Sequence, residues 1–332
     1  MSSKLIDRIP TLALSDFLEG GTELKNKFVK DLGSAFESIG FVAIKNHGYS
    51  IESQNSLYSS IKEFYELPDE VKIQYDGSKT GGQRGYTGKG KEHAAGRKVG
   101  DLKEFYHIGK EIKESSSLHY QPNIFPSEVP QFKAQTLHAY ATLEKIGKNM
   151  LRAIALFLDL DEGHFENKVD KGISILRPLH YFPIENLSKI QEGAVRAAEH
   201  GDINLITLLM GASAEGLEVK QRDGKWIPIT AVQDCLVVNV GDMLQRYTNG
   251  RLKSTVHRVV NPPQEKMKTS RFSVPFFMHA NPDMDLSCLS TCVSEANPKQ
   301  YENITAEDFL MQRLKEIGLL SYKNMSFVLY MN

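Results

Sequence analysis

Apolar and polar positions change rhythm partway along the chain. Near the start, Phe41-Val-Ala-Ile44 is an unbroken apolar run closed by Asn46-His47-Gly48, the pattern of a short buried strand. Leu57, Ile61, Phe64 and Tyr65 then recur at helical spacing until Pro68 breaks the run. From Phe132, the positions Leu143, Ile146, Met150, Ile154 and Phe157 advance in steps of three and four, predicting a long amphipathic helix to about Leu158. Beyond it lie short β-like runs at 173–181, 204–210, 217–220, 226–229, 236–240, 255–260 and 271–278, separated by turn signals. Asp223-Gly224 and Asn249-Gly250 read as hairpin turns, and 306–319 reads as a final helix. Many short strands with tight turns predict an antiparallel sandwich or barrel packed against N-terminal helices.

Composition narrows the function classes. The 332 residues are 41% hydrophobic and 24% charged, as in ordinary globular proteins. With 40 basic and 41 acidic side chains the net charge is −1, so no global field draws the chain to nucleic acid or a membrane surface. Cys235, Cys288 and Cys292 are too few and too irregularly spaced for a disulfide framework or a zinc ribbon. Reduced thiols and the lack of a long apolar run predict a soluble cytoplasmic protein that takes a small-molecule substrate, with no obligate protein partner evident. One stretch departs from the rest: 76–100 holds eight glycines and six Lys or Arg. Within it Gly85-x4-Gly90-Lys91 begins like a phosphate-binding loop, but Glu92 stands where the magnesium-binding Ser or Thr is needed and no buried strand precedes it. A mobile loop near a substrate entrance is the better reading.

The chemistry concentrates in the second half. In His200-Gly-Asp202 the two side chains share a face if the segment is extended, so both can meet one metal ion. His257, in Thr255-Val-His-Arg-Val259, falls on the inward face of an apolar strand, where an imidazole needs a partner. Two His and one carboxylate make the facial triad of non-haem Fe(II), which leaves adjacent positions open; zinc more often closes its shell with a fourth ligand or keeps one water. The competing pair His164-Phe-Glu166 lies in a charged segment and reads as a solvated turn. Arg271-Phe-Ser273 presents a guanidinium and a hydroxyl to the same side, a pairing suited to a carboxylate.

These residues resemble the 2-oxoglutarate and Fe(II)-dependent dioxygenases of the isopenicillin N synthase type. Besides the pairs above, Ile9-Pro10, Gly40-Phe41, Asn46-His-Gly48, Phe64-Tyr-Glu-Leu-Pro68, Gly85-Tyr86, Asp101-Leu-Lys-Glu104, Leu176-Arg-Pro-Leu-His-Tyr181, Gly241-Asp-Met-Leu244, Thr248-Asn-Gly250 and Lys253-Ser254 stand in the family's order. The resemblance implies a mainly β fold with flanking helices (α+β) around a distorted double-stranded β-helix, or jelly-roll, core. It divides the chain into an N-terminal helical and mixed region, 1–120, and a catalytic core with a C-terminal helix, 121–332, packed as one unit. It implies Fe(II) on His200, Asp202 and His257, 2-oxoglutarate gripped by Arg271 and Ser273 with Tyr181 assisting, and O2 as co-reactant. Succinate and CO2 would be released as a small substrate is oxidised, most simply by hydroxylation. Two positions depart from the family: Gly201 replaces the common Thr, and Phe182 replaces the usual Pro, so a slip of one residue would exchange Tyr181 for Phe182. Arg84, Tyr86, Phe105, Tyr106 and Asn204 are the expected substrate wall. The alternatives are an oxidase that uses the same iron without 2-oxoglutarate, as isopenicillin N synthase does, and a non-catalytic binding protein on the same fold.

Overall fold

The computed structural model describes residues 9–91, 102–111, 121–183, 195–210, 216–229, 234–261 and 268–316. Its strands are β1 (Thr11–Ala13), β2 (Phe41–Lys45), β3 (Gly85–Thr87), β4 (Lys103–His107), β5 (Ile175–Leu176), β6 (Leu179–Tyr181), β7 (Ala197–His200), β8 (Ile206–Met210), β9 (Leu217–Lys220), β10 (Trp226–Pro228), β11 (Leu236–Val240), β12 (His257–Val259) and β13 (Arg271–Met278). They form two sheets. The larger runs β1-β2-β11-β8-β13-β6-β4-β3 with β5 on β13, and the smaller runs β10-β9-β12-β7. Every pairing between these strands is antiparallel except β1 with β2, as expected for a jelly roll. Strands β1 to β4, all from the first third of the chain, extend the larger sheet at both ends.

Helices Gly21–Ser38, Ile51–Tyr65 and Pro130–Phe157 cover the outer face of the larger sheet. The helix Pro130–Phe157 turns its apolar stripe, with Leu143, Ile146, Met150 and Ile154 fully buried or nearly so, onto β13 and β8. Its approach is close enough that a Cβ on Gly147 would lie 2.6 Å from Met278 Sδ. A Cβ on Gly33 would fall 2.0 Å from the Phe157 ring, so glycine lets the helix Gly21–Ser38 seat against the same spine. The helix Ile51–Tyr65 starts where Ser50 accepts a hydrogen bond from the Ser53 amide at 3.1 Å. A separate apolar cluster, with Phe41, Ala43, Ala197, Leu217, Val219, Val237 and Val259, fills the space between the sheets.

Several expectations need correction. Asn249-Gly250 is no hairpin: it ends the helix Asp242–Tyr247, with φ of 50° and 74° and the Gly250 amide donating to Gln245 O at 2.8 Å. The glycine-rich tract is not simply a loop, because it contains a 3-10 turn at Gly77–Thr80 and then β3; its residues 92–100 lie outside the described residues. The last helix spans Ala306–Glu316, and the remainder of the expected 306–319 also lies outside them. No described helix is long and apolar enough to cross a membrane.

Candidate metal centre and cosubstrate site

The register of the smaller sheet creates the centre. His257 on β12 pairs directly with His200 on β7, bringing the two imidazole centroids to 4.4 Å. Asp202 follows two residues after His200, and one ligand atom from each of the three lies within 4.8 Å of the others. Phe41 of the larger sheet meets the His257 ring edge-on at 5.6 Å, so the cluster sits between the sheets.

Hydrogen bonds determine which donor atoms remain available. His200 Nδ1 pairs with Ala198 O at 2.7 Å and His257 Nδ1 with Thr255 O at 3.1 Å. Both rings therefore carry a proton on Nδ1 and aim the Nε2 lone pair inward. Asp202 Oδ2 accepts from Thr207 Oγ1 at 2.7 Å and from Asn239 Nδ2 at 2.8 Å, and those two donors are themselves directly opposed across β8 and β11. Oδ1 is left facing His257 Nε2 at 3.7 Å. His200 keeps an exposed surface, yet the chain packed around its ring, with His257 beside it, pushes its pKa down to about 4. Burial would raise the Asp202 carboxyl, but His257, His200, Asn239 and Thr207 together hold it below the usual carboxylate range. The result is two histidine Nε2 atoms and one carboxylate oxygen turned toward a common point, a set that suits a divalent non-haem iron.

A second cluster lies along the inward face of β13. Arg271 is paired with Tyr181 and Ser273 with Leu179, and in the next strand Lys103 and Phe105 continue the same two rows. Arg271 and Ser273 are buried, with the Arg271 Cζ stacked 4.8 Å from the Tyr181 ring centre. Tyr181, not Phe182, occupies the row beside Arg271; the Phe182 ring instead carries Lys89 Nζ at 4.4 Å.

The expected substrate residues separate. Phe105 is on this face with Leu179 and Tyr181. Tyr86 and Tyr106 pair with each other on the opposite face, against Phe64 of the helical layer, and Tyr106 also packs on Phe132. Alternation allows only one of Phe105 and Tyr106 to face inward, so both tyrosines belong to the core rather than to a pocket wall. Arg84 is buried against Gly109, with Nη1 donating to Gln83 O at 2.6 Å. Asn204, 1% exposed, donates to Thr207 Oγ1 at 3.1 Å and so braces the hydroxyl that holds Asp202. His164 stays outside the centre, hydrogen-bonded to Tyr247 Oη at 2.8 Å.

Residues that the sequence does not single out complete the site. Asn239 is one, and its signal is a lone amide inside Leu236-Val-Val-Asn-Val240. Arg177 is another: its Cζ lies 4.6 Å from the Phe105 ring and 5.0 Å from the Phe277 ring, with Nε donating to His107 Nε2 at 2.6 Å.

A jelly roll with a two-histidine, one-carboxylate centre defines a mononuclear non-haem metal protein. Residues 9–128 match the N-terminal model of the non-haem dioxygenase in morphine synthesis, and 178–280 match the 2OG-Fe(II) oxygenase superfamily. The 2-oxoglutarate-Fe(II) type oxidoreductase hxnY of Emericella nidulans is 31% identical over 319 residues, covering 92% of this chain and 89% of that protein. A 2OG-Fe(II) oxygenase family protein from Caulobacter crescentus has a crystal structure that superposes with a TM-score of 0.85 at 42% identity, over 94% of this chain and 100% of that one. A Neurospora crassa protein crystallised in complex with alpha-KG and thymine superposes with a TM-score of 0.82 at 32% identity, over 92% of this chain and 96% of that one. The chain belongs to the 2-oxoglutarate–Fe(II) oxygenase family. It is a 2-oxoglutarate-dependent dioxygenase, with Fe(II) as its metal and 2-oxoglutarate and O2 as cosubstrates.

Proposed function

We propose that this dioxygenase hydroxylates a small organic molecule, with Fe(II) held by Nε2 of His200, Nε2 of His257 and Oδ1 of Asp202, and with 2-oxoglutarate gripped by Arg271, Ser273 and Tyr181. The observation that carries this reading is the assignment of donor atoms: each of the three residues has its other polar atom occupied by the protein, and the remaining three converge. When bound, Fe(II) supplies the activation of O2 that is coupled to decarboxylation of 2-oxoglutarate to succinate and CO2. The chain itself holds and orients. Thr207 and Asn239 occupy Oδ2 of Asp202 and so would offer Oδ1 alone to the metal. Arg271 offers a planar two-pronged donor and Ser273 a third hydrogen bond for the far carboxylate. Phe105, Phe277 and Leu179 exclude water from the same face, and Arg177, stacked between two rings, presents a cation to the substrate.

The test is anaerobic addition of Fe(II) and then 2-oxoglutarate, read by the visible charge-transfer band of the chelate. The wild type should develop the band, and Arg271→Ala should weaken 2-oxoglutarate binding by about 1.5–3 kcal/mol through lost charged hydrogen bonds. Under turnover, succinate should form in step with product. Product without succinate would overturn the cosubstrate assignment and favour an oxidase that binds a substrate carboxylate at Arg271.

A further inference from the structure

Arg271 is not the only guanidinium beside Tyr181. Arg196, just before β7, is 3% exposed, and its Cζ lies 5.8 Å from the centre of the ring that carries Arg271 at 4.8 Å. Its backbone amide donates to Asn261 Oδ1 at 3.1 Å, and one Nη2 reaches Thr269 O at 3.4 Å, so the residue is fixed at both ends. Its Nε is buried without a hydrogen-bond partner, and among the described residues no carboxylate pairs with it. Burial, and then the neighbouring Arg271, push its pKa below the ordinary guanidinium value. Two buried cations on one aromatic ring are costly unless an anion lies between or beside them.

We propose that Arg196 is a second cationic grip on the distal carboxylate of 2-oxoglutarate, sharing that carboxylate with Arg271 across the face of Tyr181. The inference rests on the cosubstrate site proposed above. A carboxylate has lone pairs enough for two guanidinium groups and the Ser273 hydroxyl, so the grip uses the capacity of the anion more fully than one arginine does. It also gives the buried arginine a reason for its place: the two guanidinium groups repel each other, and a carboxylate bound beside them would relieve that repulsion.

The test compares 2-oxoglutarate with 2-oxobutyrate, which keeps the keto acid but lacks the distal carboxylate. Both are titrated anaerobically into the Fe(II)-loaded full chain. Glutarate is separately titrated into metal-free protein by calorimetry. Arg196→Gln should weaken 2-oxoglutarate and glutarate at least about tenfold while leaving 2-oxobutyrate unchanged, and Arg196→Lys should recover part of the loss. The ligand-free melting temperature of Arg196→Gln should equal or exceed that of the wild type, because one of two repelling charges is gone. Equal weakening of 2-oxoglutarate and 2-oxobutyrate would mark Arg196 as merely structural and overturn the proposal. Unchanged glutarate affinity in Arg196→Gln, with loss in Arg271→Gln, would overturn it and leave the cosubstrate site standing; unchanged affinity in both would bring down the site itself. Should Arg196→Gln fail to fold, Arg196→Lys decides by the same ratio.

Discussion

Two buried carboxylates, Asp202 and Glu104, sit in the same molecule and end in opposite states. Glu104 is fully buried on the outer face of β4, and each oxygen accepts two hydrogen bonds: Lys72 Nζ reaches Oε2 at 3.0 Å and Oε1 at 3.3 Å, His180 Nδ1 reaches Oε1 at 2.7 Å, and Tyr86 Oη donates to Oε2. His180 is closed off in turn by Ser270 Oγ at 2.9 Å and by stacking on Phe272. Asp202 is almost as buried, yet its two protein donors meet on Oδ2 alone, and Oδ1 faces His257 Nε2 at 3.7 Å in the cluster that His200 completes. A saturated carboxylate is a structural joint, and a half-saturated one aimed at other lone pairs is waiting for a cation. The difference lies in the partners rather than in burial. Lys72, a cation supplied by the chain, completes Glu104; nothing of that kind stands at Asp202 among the described residues.

The sharpest way to break this contrast is to remove Asp202. Asp202→Ala should lower turnover by more than about 100-fold, beyond the range seen when an outer partner of a metal ligand is lost, while the protein stays folded by circular dichroism. Glu104→Gln should do the reverse. It removes the buried partner of Lys72, leaving only the exposed Asp69 at 3.0 Å as counter-charge, and should cost about 1.5–3 kcal/mol in denaturant unfolding, with Fe(II) affinity of the folded fraction unchanged. Thr207→Val removes one donor from Asp202 and should weaken Fe(II) about 10–100-fold in a competitive titration, with little loss of stability. The smallest effect is with pH. Burial would raise the Glu104 carboxyl, but His180, Tyr86 and Lys72 hold it below the ordinary value of 4.5. A depressed carboxyl contributes stability that is complete above the unfolded value and fades as pH falls through the folded one. The stability gap between wild type and Glu104→Gln should therefore stay constant at neutral pH and shrink below about pH 4.5.

The helix Pro130–Phe157 is legible in the sequence because its apolar stripe recurs at a clean helical period, and β8, β11 and β13 because they are short apolar runs buried on both faces and bounded by turn residues. His200 and Asp202 stand out as a histidine and a carboxylate two residues apart, and His257 as an imidazole in an apolar strand, and the structure gathers them. Other features are hidden for identifiable reasons. In Lys103-Glu-Phe-Tyr-His107 both faces of β4 are covered, so polarity does not say which residues face the site, and Tyr106 reads as a wall. Arg196 is invisible because the pairing of β12 with β7 shifts between His257 and Val259, which cancels any alternation linking 196 to His200. Asn249-Gly250 misleads because left-handed residues end helices as readily as they turn hairpins.

The most direct measurement is anaerobic equilibrium dialysis of Fe(II) against three proteins: wild type, Glu104→Gln and Asp202→Ala. One ion per chain is expected in the first two and none in the third at micromolar metal. An ion retained by Asp202→Ala, or lost by a folded Glu104→Gln, would contradict the assignment of the open carboxylate as the metal ligand and the closed one as structure.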